Sequence, residues 1–565
     1  MRWFPTTRLA LAAAAAVVVV VVSPRRCRAF SPPHARPRRL AAAAITRLRQ
    51  SKAGGGGGGG DNNNVVFRPS PDPAAFDSYR IGSARVHRYS EPGSDAAYVM
   101  WYHGRDASLD SQSSSPSSAA STTNEKTKKN DDDDDDDTRE GGRGGEGMPR
   151  RRPPPLPPLS TGRIGRATSR NGLAWRRDDD GSVDSDAPGS CLGLNVESWY
   201  GFDTSHVGLG QVLLPMTSPS IRSSEGGVYV MYYMGGNYEV SDLATYLPRR
   251  RRREDDDDDS DDLGKLVPND AKLRGMKLRI GAAISQDGIT WGRVEGDDPS
   301  GACMVPYDLG DVNNDDVVIA RDPKTGRLHE VEEELYCGWP EVIVNPVGPN
   351  EDARRGSGAS ADTERINFYM YYSTMLKESG EKALACAVSN NGFAWSKAGT
   401  VRFVDDDDDD DGPTALDGGG RARCNVVRRA TLDDDGTWVE GRSWMMFYEG
   451  VSIEDGRHRI LAAESDDLRE WRRLGLALDV GRKAGGEDDI DGDDDDDNDD
   501  DDDVDAWDSR GVGSPHVIRL DDGYFRMYYT GEGSDGRTAI GVARSVDMKV
   551  WERERVVELS SLLNR

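Results

Sequence analysis

Five polar residues share one position in five similar segments of the chain and could take part in acid–base chemistry. They are Arg85, Gln211, Glu341, Asn425 and His516. Each stands in a short run of mostly apolar residues, where a strand covered on both faces should carry a hydrophobic side chain. We therefore expect the five side chains to line a common channel. Glu341 is the only carboxyl group among them, and partial burial would raise its pKa to suit a general acid. The alternative is a structural carboxylate paired with Arg85.

A second set of acidic residues precedes these positions by eight residues each. Its members are Asp77, Asp203, Glu333, Asp417 and Asp508. General acid and general base catalysis needs carboxyl groups placed on either side of a reacting bond, so Asp77 and Asp203 join Glu341 as candidate catalytic residues. An acid that recurs in every copy is also typical of a residue that caps a turn or binds backbone amides. Both roles remain open from the sequence.

The elements that must position these residues form a repeat. Residues 507–551 predict three short strands separated by "DDG" and "GSDG" turns, a pattern typical of an antiparallel sheet. The second strand recurs as "YVMWYHG", "VYVMYYMGG", "NFYMYYST", "SWMMFYEG" and "YFRMYYTG". The third recurs in segments that end at Trp175, Trp291, Trp395, Trp471 and Trp551. Five copies in one order indicate a repeat architecture.

The residues after each repeat-final tryptophan could add a fourth, outer strand. Four-stranded blades in a radial array cover both faces of each sheet, which explains the aromatic second strands. The sequence therefore predicts an all-β protein, a five-bladed β-propeller with four-stranded antiparallel blades and almost no helix. The predicted blades span about 76–180, 200–297, 332–404, 416–480 and 507–556.

These repeats resemble those of a known superfamily. The phrase "WDSRGVGSPHVIRLDDGYFRMYYTG", followed by "AIGVARSVDMKVW", is similar to repeats of the arabinanase, levansucrase and invertase propellers, which include glycoside hydrolase families 43, 32 and 68. The resemblance covers roughly residues 76–556. It implies a funnel-shaped axial pocket that binds sugars, with the first strands starting at its mouth and the second strands returning to it.

That topology implies which residues surround the pocket. The ends of the second strands carry His103, Arg105, Asp106, Asn237, Glu239, Glu449 and Glu532. Aromatic residues that could stack on a sugar face are Trp101, Trp199, Trp339, Trp444 and Trp507. The residues we assign to substrate binding are Arg85, His103, Arg105, Gln211, Asn237, Trp339, Asn425 and His516.

The chain departs from the resembling families where their catalytic Asp, Asp and Glu stand. The matching positions fall near Ser83, Leu209 and either Trp339 or Gly338, and none of these residues has a carboxyl group. The leading hypothesis is a glycoside hydrolase-like protein that takes a carbohydrate ligand, acts on furanosidic or related bonds and needs no cofactor. One alternative is a non-catalytic propeller that binds glycans or scaffolds a partner. Another is a phosphorylase, whose phosphate cradle Arg85 and Arg105 alone would not form.

The composition separates a folded part from acidic inserts. The 565 residues carry a formal net charge of −28, and runs of aspartate supply much of it. Such runs repel themselves and bury no apolar area, so they predict disordered inserts. These lie near 107–160, 240–275, 348–364, 403–420 and 482–505. The folded part offers no basic stripe with interleaved aromatics, which argues against nucleic-acid binding, and we expect a monomer.

The spacing of the cysteines and of candidate metal ligands predicts neither disulfides nor a definite metal site. Five cysteines follow Cys27, and neither a disulfide framework nor a zinc site matches their spacing. The segment "DVNNDD" (311–316) has the composition of a calcium loop without its full ligand register, so a structural calcium ion is a minor alternative.

The first sixty residues predict a targeting presequence. An apolar run at 9–22 fits a signal-peptide core and is short for a membrane span. A basic segment follows, with no acidic residue before Asp61, and Phe30 stands where the bipartite presequences of algae with secondary plastids carry one. We therefore expect delivery to a plastid, with secretion or an endomembrane lumen as the alternative, and no stable membrane span after processing. The glycine run at 54–60 predicts a flexible linker.

Overall fold

A computed structural model describes most of the repeat region. The described residues are 64–89, 97–107, 162–178, 187–214, 228–246, 272–308, 319–321, 328–330, 332–344, 367–404, 414–433, 437–481 and 506–556. All of them belong to one compact unit, Asp61–Arg565. The presequence, the calcium-like segment 311–316 and the predicted inserts 348–364 and 482–505 lie outside the described residues, as does nearly all of the insert 107–160.

The described chain is all-β, as predicted, with one short 3-10 helix and no α-helix within those ranges. The first part contains β1 (Val65–Phe67), β2 (Arg80–Tyr89), β3 (Ala97–Arg105), β4 (Arg163–Ser169), β5 (Arg176–Arg177) and β6 (Ser190–Leu192). Next come β7 (His206–Leu213), β8 (Tyr229–Gly236), β9 (Val240–Asp242), the 3-10 helix (Leu243–Tyr246), β10 (Lys272–Arg274), β11 (Arg279–Ser285), β12 (Gly292–Val294), β13 (Ile319–Arg321) and β14 (Leu328–Glu330).

The second part begins with β15 (Glu334–Val344), β16 (Phe368–Leu376), β17 (Lys382–Ser389), β18 (Ser396–Thr400) and β19 (Arg402–Val404). Then follow β20 (Arg421–Leu432), β21 (Trp438–Val451), β22 (His458–Ser465) and β23 (Glu470–Leu478). The last strands are β24 (Gly511–Arg519), β25 (Phe525–Glu532), β26 (Thr538–Ser545) and β27 (Glu552–Arg553).

Five antiparallel meanders of four strands use most of these elements. They are β2–β3–β4–β5, β7–β8–β11–β12, β15–β16–β17–β18, β20–β21–β22–β23 and β24–β25–β26–β27. Each meander coincides with one sequence repeat. Successive residues of a strand point to opposite faces, and Tyr371 and Tyr372 of β16 are both fully buried. Both faces of this meander are therefore covered.

The covering partners are residues of other meanders. Five hydrophobic clusters each combine residues of two meanders: the first with the second, the second with the third, the third with the fourth, the fourth with the fifth, and the fifth with the first. The repeat-final tryptophans mark the same interfaces. They make edge-on ring pairs with second-strand aromatics, namely Trp291–Trp101, Trp395–Tyr232, Trp471–Tyr371, Trp551–Phe447 and Trp175–Tyr528.

An unpredicted strand completes the fifth meander. β1 ends more than ten residues before β2 begins, yet it pairs with β26, with Val65 opposite Gly541 and Phe67 opposite Ile540. The adjoining Asn64 is buried; it donates a hydrogen bond to the Tyr529 hydroxyl and accepts one from the Trp507 indole. The N-terminal end of the repeat region is thereby fastened to its C-terminal end.

Two predicted inserts are ordered at their ends. Within 240–275, β9 and β10 form an antiparallel pair, with Ser241 opposite Leu273. Within 403–420, β19 reaches the next meander, where Phe403 pairs in parallel with Trp471 of β23. Composition alone placed both inserts outside the fold, because it does not register short segments that dock on a neighbouring strand. Across the described ranges, no helix is long and apolar enough to cross a membrane.

Candidate functional site

The first strand of every meander has a bulge in the same region. The pairing register shifts between Gly82 and Arg85 in β2, and it shifts at the equivalent places in β7, β15, β20 and β24. Four bulge residues other than glycine have a positive φ: Ser83 (51°), Trp339 (49°), Arg423 (32°) and Ser514 (49°). Such conformations cost free energy and concentrate at functional sites, and bulges re-aim side chains next to such sites.

These four strained residues line one cavity of about 770 Å³. Its wall also contains the ends of second strands, with His103 and Arg105 from β3, Met234 from β8, Glu449 from β21 and Glu532 from β25. The cavity therefore lies where first strands begin and second strands end, which is the place that topology predicted for a pocket mouth. Among the predicted binding residues, His103, Arg105 and Trp339 line it.

Arginine dominates the charge of this cavity. Its lining contains Arg80, Arg105, Arg423, Arg457 and Arg510, against the carboxylates Glu449, Asp455 and Glu532. The protein as a whole carries a formal net charge of −28. The cavity thus forms a locally positive site in a strongly acidic chain.

Glu449 is held in its ionised form. It is buried, with its Oε2 3.5 Å from Nη1 of Arg423, its Oε1 2.6 Å from Nδ1 of His458 and a hydrogen bond from the Ser514 amide. Burial alone would raise its pKa, but Arg423, the His458 contact and the amide outweigh it and lower the pKa to about 2. This carboxylate can stabilise positive charge or accept a proton, and it carries no proton to donate at neutral pH.

Two histidines in the wall, the buried His206 and the half-buried His103, are neutral. Burial, reinforced by nearby arginines, lowers the pKa of His103 and of His206 to about 3. Nδ1 of His103 and Nε2 of His206 have no hydrogen-bond partner within the described part of the chain. A neutral imidazole offers one donor and one acceptor, so each can serve a hydroxyl-rich ligand after a small adjustment of the ring.

Trp339 supplies an aromatic surface at the same place. The Arg423 guanidinium lies over its ring, 4.9 Å from the centroid, and Tyr336 packs edge-on at 6.4 Å. The Trp339 side chain is partly exposed to the cavity. With the Arg423 guanidinium over one face, the indole is suited to stacking on a ligand through its other face, beside a hydrogen-bond donor.

Three members of the predicted polar ring, Arg85, Glu341 and Asn425, form a closed network rather than an open channel. Nη2 of Arg85 lies 3.2 Å from Oε2 of Glu341, and Nδ2 of Asn425 donates to Oε1 of Glu341 at 2.7 Å. Arg85 also donates to the Pro515 carbonyl, and His516 Nε2 lies 3.0 Å from the Val86 carbonyl oxygen. All five ring residues are buried and none lines the cavity.

Glu341 therefore does not occupy the open channel that the sequence suggested. Burial raises its pKa, while Arg85 and the hydrogen bonds from Val426 and Asn425 oppose the rise. A ligand in the cavity would not contact the Glu341 carboxyl group, because this group is only 1% exposed and points into a packed network. This placement favours the alternative of a structural carboxylate paired with Arg85.

Gln211 and Asn237 likewise lie away from the cavity lining. Gln211 is buried and accepts a hydrogen bond from the Val212 amide. Asn237 donates to Glu239, which forms an ion pair with Arg279 at 2.7 Å. At the end of the second strand of the second meander, the polar side chains thus bind neighbouring residues of the same meander.

In every meander a buried acid forms a trio with a second-strand tyrosine and a basic side chain, which is an arginine in four meanders and a lysine in the third. Asp77 accepts hydrogen bonds from the Tyr102 hydroxyl at 2.8 Å and from the Arg177 guanidinium at 2.7 Å. The equivalent trios are Asp203–Tyr233–Arg293, Glu334–Tyr372–Lys397, Asp417–Tyr448–Arg473 and Asp508–Tyr529–Arg553. None of the five acids lines the cavity.

This recurrence favours the structural role for Asp77 and Asp203, because each joins the loop before a first strand to its own second and fourth strands. One assignment needs correction. The acid of the third trio is Glu334 rather than Glu333, which instead contacts Lys377 at 2.9 Å. In the third repeat the acid of the trio therefore stands seven residues before Glu341, one residue closer than in the other repeats.

Several cavity residues escaped the sequence reasoning, chiefly Arg80, Arg423, Arg510, His206 and His458. Arg423 occupies the bulge position that Ser83 and Trp339 occupy in their strands. Extending that comparison to the fourth and fifth repeats would have found Arg423 and Ser514. Within the described ranges, no group of three or more His, Cys, Asp or Glu residues could hold a metal ion, and the cysteines described there are unpaired thiols.

No family model matches the sequence, and no curated protein is similar to it. Similar solved structures include a glycosyl hydrolase from Bacteroides ovatus, 12% identical, with a TM-score of 0.36 over 85% of this chain and 92% of that one. A family 117 glycoside hydrolase from Zobellia galactanivorans is 9% identical, with a TM-score of 0.37 over 89% and 96%. A β-1,2-mannobiose phosphorylase from Listeria innocua is 12% identical, with a TM-score of 0.32 over 62% and 76%. These likenesses are weak.

Proposed function

We propose that the five meanders are the blades of a five-bladed β-propeller whose axial cavity binds a saccharide. The blade count is supported by the five interblade clusters and by the Trp175–Tyr528 pair between the first and fifth meanders. Strand β1 pairs with β26, so the N-terminal end of the repeat region joins the sheet of the last repeat, which supports a closed ring. The cavity then lies on the axis, at the end where first strands begin.

One observation carries the saccharide assignment: a partly exposed indole stands among polar groups that converge on one small cavity. Trp339 can stack on a sugar ring, while the neutral His103 and His206 and the hydroxyls of Ser83 and Ser514 can pair with sugar hydroxyls. A volume of about 770 Å³ fits a ligand of one or two sugar units. The resemblance of the repeats to carbohydrate-active propellers supports the same ligand class.

Binding is favoured over hydrolysis as the primary activity. Glycoside hydrolysis needs one protonated and one ionised carboxyl group flanking the bond. The carboxyl group with a raised pKa, Glu341, is sealed behind Arg85 and Asn425, and Glu449 is ionised.

Hydrolysis stays as the second candidate because of one observation. Glu449 and Glu532 both end second strands, and both line the cavity. Glu532 is partly exposed, 3.6 Å from Arg80, whereas Glu449 is buried. In this version Glu449 acts as the ionised carboxylate and Glu532 as the acid. Glu449→Gln and Glu532→Gln should then each reduce turnover of an aryl glycoside by about a hundredfold or more.

The test of the proposal is a binding screen on the purified chain. Calorimetry against neutral and acidic mono- and disaccharides, in furanose and pyranose forms, should find at least one ligand. Trp339→Ala should weaken its binding by about tenfold or more, because the stacking surface is lost. Trp199→Ala is the matched control, since Trp199 is 90% exposed and remote from the cavity lining.

Equal affinities of the wild type and Trp339→Ala would remove the cavity from saccharide binding. Thermal melting of both variants separates loss of the site from loss of the fold.

A further inference from the structure

The cavity has more positive charge than its own carboxylates can balance. Glu449 contacts Arg423 and His458. Asp455 accepts hydrogen bonds from both terminal nitrogens of Arg459, a residue outside the cavity lining. Arg457, which does line the cavity, is left with a long contact of 3.9 Å to Asp455. Only Glu532, at 3.6 Å, faces Arg80.

Arg510 has no such partner. Its side chain is exposed at the rim, and it forms no ion pair with any described residue. The Nε atoms of Arg80 and Arg423 are buried without a hydrogen-bond partner within the described ranges. Guanidinium groups bind carboxylate, phosphate and sulfate through paired N–H donors. The Arg510 guanidinium therefore lines this cavity without an ion-pair partner among the described residues.

The surrounding chain strengthens the contrast. A chain of net charge −28 repels anions in general, so an anionic ligand needs a local site with positive charge in excess. The arginines also act on the neighbouring imidazoles, since Arg105 and Arg423 are among the charges that depress protonation of His103. The positive potential is thus felt inside the cavity wall and not only at the rim.

We infer that the ligand of this cavity carries an anionic group, held between Arg423, Arg510 and Arg80 while the sugar ring stacks on Trp339. The inference rests on the proposed saccharide function and specifies its substrate class. The anion is a sulfate, phosphate or carboxylate substituent of the sugar, or a free inorganic phosphate bound beside a neutral sugar. All of these share oxygen atoms that accept paired hydrogen bonds from guanidinium groups.

The experiment compares matched ligands by calorimetry on the full chain. Its arms are a neutral saccharide, the same saccharide with a sulfate, phosphate or uronate group, inorganic phosphate alone, and the neutral saccharide with saturating inorganic phosphate. An anionic saccharide should bind about ten- to a hundredfold more tightly than its neutral counterpart. If the anion is a free phosphate, the neutral saccharide should gain a similar factor when phosphate is present.

Two arginine variants locate the effect. Arg510→Gln should weaken anionic binding about three- to tenfold without altering the melting temperature, because the side chain is exposed and forms no ion pair with a described residue. Arg176→Gln is the matched control, since Arg176 is also exposed and lies on β5, outside the cavity lining. Raising the salt concentration should weaken the anionic ligand and leave the neutral one unchanged.

The outcomes separate the two proposals. Equal binding of neutral and anionic saccharides, unaffected by Arg510→Gln and by salt, would overturn the anionic substrate and leave the saccharide function standing. Binding of inorganic phosphate with no response to any saccharide would uphold the anion site and overturn the saccharide function.

Discussion

Glu341 and Arg85 form a buried ion pair between the third and first meanders, with 3.2 Å between Oε2 and Nη2 and exposures of 1% and 4%. The side-chain amide of Asn425, from the fourth meander, donates a hydrogen bond to the same carboxylate. Three meanders therefore meet through one carboxylate. By this geometry Glu341, a catalytic candidate in the sequence, links the first, third and fourth meanders.

Replacing Glu341 should affect stability and spare ligand binding. Glu341→Gln leaves the Arg85 guanidinium buried without its counter-charge, which should lower the free energy of unfolding by about 3–5 kcal/mol. Urea denaturation measures this, and Glu440→Gln, at an exposed ion pair with Arg519, is the control that should change little. A variant with wild-type stability but no ligand binding would return Glu341 to the active site.

The buried trios predict a similar separation for Asp77. Asp77→Asn weakens its bonds to Tyr102 and Arg177 and should cost about 2–4 kcal/mol of stability, with affinity per folded molecule unchanged. Asp203→Asn should behave alike, because its trio has the same contacts. Asp521→Asn, at an exposed residue paired with Arg88, is the control. Full stability of Asp77→Asn together with lost binding would contradict the structural role.

Stability should fall as the pH decreases below about 6.5. Burial lowers the pKa of His103, His206 and His516 to about 3. In the unfolded chain these histidines take up protons below 6.5, whereas in the folded chain they do not, so acid favours unfolding. Each fully neutral histidine removes about 1.4 kcal/mol per pH unit in this range. Below about pH 4.5, Glu449 adds to the loss, since its folded pKa is lowered to about 2.

Urea midpoints measured between pH 7.5 and 5 test this. The double variant His103→Gln/His206→Gln should show a shallower dependence on pH than the wild type. A wild-type midpoint that stays constant or rises on acidification would show that these imidazoles are protonated in the folded state.

The N-terminal strand predicts a sharp limit to truncation. A chain that starts at Asp61 keeps β1 and should match the stability of the full chain. A chain that starts at Ser70 loses the pairing with β26, the Asn64 hydrogen bonds and the buried Phe67 ring. It should be less stable by about 2–4 kcal/mol. Equal melting temperatures for the two truncated chains would show that β1 does not fasten the fifth meander.

The sequence was sufficient for the repeat and its strands, because alternation and the repeat-final tryptophans are local signals. Trp551, for example, marked both the end of a third strand and the packing against Phe447 that was later observed. The cavity side chains were harder to predict. Simple alternation along β2 pointed to Arg85, but the left-handed Ser83 bulge changes which side chains meet the cavity and which are covered.

Other features could not be predicted because they join residues that are far apart in the sequence. The pairing of β1 with β26 joins residues more than 470 positions apart, and no local pattern reports it. The Arg85–Glu341 pair forms because two long side chains, from the first and third meanders, reach each other. The predicted open channel is therefore a closed network. Arg423 occupies the equivalent bulge of the fourth repeat, outside the three repeats in which the resembling families carry their catalytic carboxylates.

The location of a bound saccharide tests the central claim most directly. A crystal structure of the chain with the tightest ligand from the binding screen should show the sugar ring stacked on Trp339 and its polar groups within hydrogen-bond distance of Arg423 and His103. The exposed pair Trp199 and Tyr200, with ring centroids 5.5 Å apart, is the alternative aromatic surface outside the cavity lining. Density for the sugar against Trp199 and Tyr200, with the axial cavity free of ligand, would contradict the account.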